Sequence, residues 1–385
     1  MREPDIRPLL EPVSAEAMQE AYAHAPESTL GETLRGPRAR RIVPLAIIGL
    51  IAVLVLGGLV SQLVEGALGQ RAQGVVVFLI LAALITVGWL SWLQLQHARR
   101  ERYARLASFA RANGFDYEPT RPGRRHEGVV FHVGSSRRDE DVFHFLPDEP
   151  GQREVEVGTH VYEEKSSSRR DATEHRWGYL AVRLDRRLPH LLLDATRNDG
   201  AFGVSNLPIG FAKDQRLSLE GDFDRHFALY CPREYETDAL YVFTPDVMGL
   251  LIDETGAYDV EVVDDWLYVY SVTPFALLEP ETWRRLHRIR TVVGERLARR
   301  STRYADDRAT APIETQVTDA RGPALDPGEP PPAASALTSR LAHDRIAPGG
   351  ARLRRRRVLT TSTVGVAAGA IGLYWLFGMF DRLVG

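Results

Sequence analysis

The chain has 385 residues, with 48 lysines and arginines against 51 aspartates and glutamates, for a formal net charge of −3. A balance so even argues against a nucleic-acid binder driven by bulk charge. The single cysteine, Cys231, excludes an intrachain disulfide, so no oxidising compartment is required. Lys165 and Lys213 are the only lysines, an arginine bias that reads as the codon usage of a GC-rich bacterial genome.

Residues 1–41 are polar, contain Pro4, Pro8, Pro12 and Pro26, and read as a flexible cytoplasmic arm with one short helical stretch around Ala15–Ala25. Three apolar runs stand out: Ile42 to Val60, Val75 to Leu93 and Val358 to Phe380. A bilayer core takes about 20 apolar helical residues, so the expectation is a transmembrane helical hairpin over 42–95 and a C-terminal transmembrane helix over 358–380. A signal peptide is the rival for the first run, but residues 1–41 precede it, too far from the start for a secretory leader. Arginines crowd one end of each run: Arg35, Arg38, Arg40 and Arg41; Arg99, Arg100, Arg102 and Arg105; and Arg352 with Arg354 to Arg357. By the positive-inside bias the N-terminus and the central segment are expected in the cytoplasm of a bacterial plasma-membrane protein, with the C-terminus outside.

Past the second run, Tyr103, Leu106, Ala107 and Ala110 recur at helical spacing, so 96–114 is expected to continue as a juxtamembrane helix stopped by Asn113-Gly114. From 115 to 303 a cytoplasmic α+β domain is expected, an antiparallel sheet with packing helices. Val129, Phe131 and Val133 alternate with polar neighbours, as do Val155, Val157, Thr159 and Val161, then Leu180, Val182 and Leu184. Tyr258 to Tyr270 reads as a hairpin reversing near Asp264-Asp265. Thr244-Pro245-Asp246 reads as a helix start burying Val247, Met248, Leu250 and Leu251. Trp283, Leu286, Ile289, Val293 and Leu297 form the apolar stripe of a helix that begins near Pro280. Residues 304–357, rich in proline and alanine before a basic end, read as a disordered linker.

The chain carries no G-x-x-x-x-G-K-[ST], G-x-G-x-x-G, H-E-x-x-H or G-x-S-x-G motif, so no catalytic residue and no cofactor is assigned. Asp222, Asp224 and His226 would share one face of a strand and could hold a divalent cation. In a helical turn Phe223 and Phe227 would instead bury together and leave the charges wet, which is the preferred reading. Cys231 near His226 could serve a nucleophile–base pair, against its ordinary use as a small buried hydrophobe. His126, His132, His144, His160, His175 and His190 have no ligand-like spacing and read as surface strand residues. Arg354, Arg355, Arg356 and Arg357 suit anionic lipid headgroups. Gly365, Gly369 and Gly372 offer a small-residue face for helix–helix packing.

Three stretches carry a resemblance: Phe223-Asp224-Arg225-His226-Phe227, Asp238 through Pro245, and Trp266-Leu267-Tyr268-Val269-Tyr270. Residues 217–271, with the N-terminal pair of apolar runs, resemble an uncharacterised family of bacterial, actinobacterial-type multi-pass membrane proteins known only as a domain of unknown function. The resemblance implies no activity.

The expected function is therefore a multi-pass membrane protein presenting its cytoplasmic domain for protein binding or scaffolding in a membrane or envelope assembly. Its expected partners are the lipid bilayer and a membrane or cytoplasmic protein, with no nucleic acid. The alternatives are a membrane-anchored metal-dependent hydrolase using Asp222, Asp224 and His226, and a structural homo-oligomer built through the third span.

Overall fold

The computed structural model describes residues 3–14, 16, 18, 19, 21, 70–123, 126–149, 151–165, 172–199, 205–219, 221–309 and 345–356. In chain order the helices and strands are α1 (Arg7–Leu10), α2 (Gln70–Asn113), β1 (Asp116–Pro122), β2 (Ser135–Phe145), β3 (Val155–Lys165), β4 (Ala172–Ala195), β5 (Gly210–Phe211), β6 (Arg216–Leu217), β7 (Phe227–Tyr230), α3 (Glu236–Val242), α4 (Pro245–Thr255), β8 (Asp259–Ser271), α5 (Pro280–Arg288), α6 (Glu295–Arg303), α7 (Pro348–Ala351) and β9 (Arg355–Arg356). A π-helical turn, Ile289–Gly294, joins α5 to α6. The chain divides into two units: Met1–Gly123 with Arg138–Val161 and Pro274–His287, and Arg124–Arg137 with Tyr162–Thr273 and Arg288–Gly385.

In the first unit β1 pairs antiparallel with β2, and β2 neighbours the first part of β3. Its core is aromatic. Phe109 of α2 lies 4.3 Å from Trp283 and 6.0 Å from Phe143, ring centre to ring centre, and Phe115 joins the same group. The Trp283 indole N–H donates to the Leu277 carbonyl at 2.8 Å, so the buried ring leaves no polar atom stranded. Gly114, at φ +70°, ends α2 in the left-handed conformation as the Asn113-Gly114 pair predicts. Within the expected arm, α1 buries Leu9, and Asn113 holds Asp5 by two main-chain contacts of 2.7 and 3.0 Å.

In the second unit the last part of β3 neighbours β4. Strand β4 pairs with β7 and, along its length, with β8; β7 then pairs with β6. The core gathers Val129, Val130, Phe131, Tyr179, Leu192, Tyr268 and Tyr270. The stripe Ile289, Val293 and Leu297 is fully buried as the helical spacing requires, and Gly294 sits 3.5 Å from Val182 for any added Cβ.

The α+β expectation holds, with a large antiparallel sheet and packing helices. The transmembrane part of the expected fold class does not: no helix among the described residues is long and apolar enough to cross a membrane. The apolar stretch of α2 gives way at Gln94, Gln96 and His97 and runs without a break into Arg99 and Arg100. The runs 42–60 and 358–380 lie outside the described residues.

Two strand expectations are also corrected. Val129–His132 is a 3₁₀ turn, in which the Phe131 amide donates to the Gly128 carbonyl and three consecutive apolar side chains bury together. The expected hairpin at 258–270 is one continuous strand, β8. Asp264, at φ +53°, takes up the apparent reversal as a bulge opposite Leu188.

Candidate functional site

The sequence Leu188-Pro189-His190 interrupts the β4–β8 ladder. Proline has no amide to donate, and the register slips on either side of Leu188. The irregularity places His190 inside the second unit beside Glu261 of β8, both essentially buried. A buried carboxylate is costly unless donors surround it. Glu261 has three: the His190 Nε2–H at 2.7 Å on Oε1, and the Tyr270 hydroxyl at 2.7 Å with the Val129 amide at 2.9 Å on Oε2. Burial, then the Glu261 charge, pushes the Tyr270 hydroxyl well above its ordinary range, so it remains a donor. Gly128 lets the backbone reach this cluster, since a Cβ there would collide with the Tyr270 hydroxyl.

The fourth partner comes from far along the chain. The Leu353 amide donates to His190 Nδ1 at 3.1 Å, and the Leu353 side chain enters the core beside Leu207 and Phe211. Its neighbours are held by main-chain recognition. Gln215, buried, accepts from the Arg354 amide at 2.8 Å and donates to the Arg354 carbonyl at 3.0 Å. Phe211 and Gly210 pair as a strand with Arg355 and Arg356. Arg352 meets Asp264 at 2.8 Å and Glu127 at 3.2 Å, and Arg354 pairs with Asp214. Gly350 lies against the Tyr235 ring, where a Cβ would collide.

Asp306 anchors the start of this segment. Its Oδ2 accepts from the Tyr235 hydroxyl at 2.7 Å and the Ala347 amide at 2.9 Å, and Arg308 lies at 3.3 Å on the other oxygen. Burial works to raise its pKa, but these donors outweigh it and hold the carboxyl below its usual range. After the single helical turn of α7, residues 352–356 are therefore gripped as an extended peptide, by backbone, by one apolar side chain and by two arginines.

An acidic group sits at the other end of β4. Asp259 accepts from the Ala195 amide at 2.8 Å and from Asn198 at 3.1 Å, while its Oδ2 and one oxygen of Asp194 are buried without a hydrogen-bond partner among the described residues. Burial, reinforced by the Asp194 and Asp199 charges, raises Asp259 to about 7. Burial raises Asp194 to about 6, with Asp199 adding to it. In the first unit, Arg121 pairs with Glu156 and, at 3.3 Å, with Asp139, which in turn accepts from His160 Nδ1 at 2.7 Å.

Of the residues singled out in the sequence, His190, Arg354, Arg355 and Arg356 belong to this site, and the other described ones lie elsewhere. Phe223–Arg225 is a 3₁₀ turn with the Phe223 and Phe227 rings 5.2 Å apart, as in the preferred reading. Asp222, Asp224 and His226 do not converge. Asp224 accepts from the Ser218 hydroxyl and the Leu219 amide, and exposed Asp222 and His226 stand 3.9 Å apart. No group of three His, Cys, Asp or Glu among the described residues is arranged to hold a metal ion. Cys231 is buried, and burial, with Glu236 and Asp238, pushes its thiol up to about 12, the wrong direction for a nucleophile. His126, His160 and His190 are buried, contrary to the surface expectation, because each has a polar partner inside the fold. Arg354 is engaged with Asp214, and Arg355 and Arg356 form β9. Arg357, Gly365, Gly369 and Gly372 lie outside the described residues. Glu261, Gln215, Leu353 and Asp306 had no sequence signal; Pro189 inside an apolar strand was the one local anomaly.

No family model matches the chain, and no curated protein does. A solved structure is similar: the crystal structure of the mycobacterial trehalose monomycolate transport factor A. It is 14% identical, over 49% of this chain and 93% of that one, with a TM-score of 0.31. At that level the likeness assigns nothing to this chain.

Proposed function

We propose that this protein is a binding scaffold: its α+β body holds an extended polypeptide at the cytoplasmic face of a bacterial membrane. The observation that carries the reading is the grip on residues 347–356. Strand pairing at Phe211, the two-point clasp of Gln215 and the His190 contact all address main chain. Such contacts suit peptide recognition by strand addition. Co-isolation of the full chain from gently solubilised membranes tests the reading. A specific polypeptide should be retained by the native chain and lost when Asp214 and Asp264 are both changed to lysine. Identical recoveries from the two would count against it.

The membrane location has its own support. Along α2, Leu84, Ile85, Val87, Trp89, Leu90 and Trp92 are exposed, on several sides of the helix. Apolar area left in water costs about 25 cal/mol per Å², and a contiguous exposed patch marks a membrane or protein contact. Arg99 and Arg100 follow at the position where cations gain from anionic headgroups. The chain should float with anionic vesicles, and Trp89→Glu with Leu90→Glu should leave it at the bottom of the gradient. Flotation unchanged by that pair would sink the placement.

A further inference from the structure

We infer that the site occupied by residues 350–356 is a receptor for arginine-flanked apolar segments of other polypeptides, and that the chain's own segment is a displaceable stand-in. This deepens the binding reading above and rests on it. The features that hold the segment define what else fits. An extended backbone is required by the β5 edge and by Gln215. One apolar side chain is required at the Leu353 position, inside the core beside Phe211. Basic side chains are favoured on either side of it, because Asp264 and Glu127 face Arg352 and Asp214 faces Arg354. A residue without a Cβ is needed where Gly350 meets Tyr235. The partner is thus a segment of the pattern glycine, spacer, arginine, apolar residue, arginine.

Displacement is physically reasonable. The segment adds only a two-residue strand, in a two-stranded sheet separate from the large one. Its arginines are 43% and 59% exposed in their pairs, and exposed ion pairs contribute roughly 0–1 kcal/mol each. Residues 310–344, outside the described residues, precede it in the chain. A tethered segment competes at an effective concentration on the order of millimolar. An outside segment therefore binds weakly until the tethered one is loosened, and the apparent affinity rises by the factor through which the free site becomes populated.

The test is titration of a fluorescent synthetic peptide with the sequence of Pro348–Arg356 against the full chain. Gly350→Val and Leu353→Asp each weaken the tethered segment while leaving the receptor face intact. Both variants should bind the peptide at least about tenfold more tightly than the native chain. A scrambled peptide with the same arginines, and one with aspartate at the Leu353 position, should not bind. Equal binding of scrambled and native-order peptides, or equal affinity of native and variant chains, would overturn the inference. Should both variants unfold, hydrogen exchange on the native chain decides it. The Leu353 and Arg354 amides must exchange well before the β4 and β8 core amides, and equal protection overturns the proposal. A chain that still retains a cellular polypeptide through Asp214 and Asp264 but ignores the peptide keeps the scaffold reading and loses this one.

Discussion

The amide of Leu353 and the imidazole of His190 meet at 3.1 Å, and that contact fixes where the imidazole proton sits. Nδ1 must accept, so the proton is on Nε2, where it is donated to Glu261. A second proton on the ring would set two donors against each other and break the link to residues 347–356.

Glu261→Gln should be strongly destabilising. A glutamine keeps one acceptor oxygen but turns an NH₂ toward groups that are themselves donors. Stranded buried donors cost about 1–3 kcal/mol each, so a loss of roughly 2–4 kcal/mol is expected in urea unfolding. A change under about 0.5 kcal/mol would show that the cluster is not load-sharing in this way.

Asp259 and Asp194 predict an unusual pH dependence. Both carboxyls are raised in the fold, to about 7 and about 6 from an ordinary value of 3.8. The folded state therefore binds more protons than the unfolded one between about pH 4 and 7. Their contribution is fully present below pH 4 and is lost as pH rises through 6 and then 7. At roughly 1.4 kcal/mol per pKa unit, Asp259 alone accounts for a loss on the order of 4 kcal/mol. Asp259→Asn keeps the acceptor for the Ala195 amide and should raise the melting temperature at pH 8 while flattening its slope with pH. A variant whose melting curve tracks the native chain at every pH would contradict this.

Arg121 answers Asp139 and Glu156 inside the first unit. Arg121→Met strips two buried carboxylates of their cation, and breaking a buried pair from one side costs about 3–5 kcal/mol. Arg121→Met combined with Glu156→Gln should recover part of the loss. Chemical denaturation of the two variants and the native chain measures both effects.

The sequence was most readable where a period repeats. The helical stripe from Trp283 to Leu297, the proline start at Pro245 and the glycine stop at Gly114 are local signals, and the fold follows each one. Asp264-Asp265 misled because a polar pair inside an apolar run looks the same whether the chain reverses or bulges. The partner strand decides, and β4 is long enough to continue past the interruption. The grip on residues 347–356 was hidden for a different reason. His190, Gln215, Asp306 and Leu353 meet only through contacts between residues more than forty apart. Residues 345–356 followed a proline-rich stretch, and composition alone gave no sign that Leu353 is a core residue.

The central claim, that the body binds polypeptide at the β5 face, is tested most directly by photo-crosslinking in living cells from a photoreactive residue at position 209. Ile209 borders β5 and packs against the same core as Leu353. The account predicts an adduct between this chain and a second polypeptide, stronger when Gly350→Val loosens the chain's own segment. Crosslinks confined to the chain itself, in the native and the loosened protein alike, would contradict it.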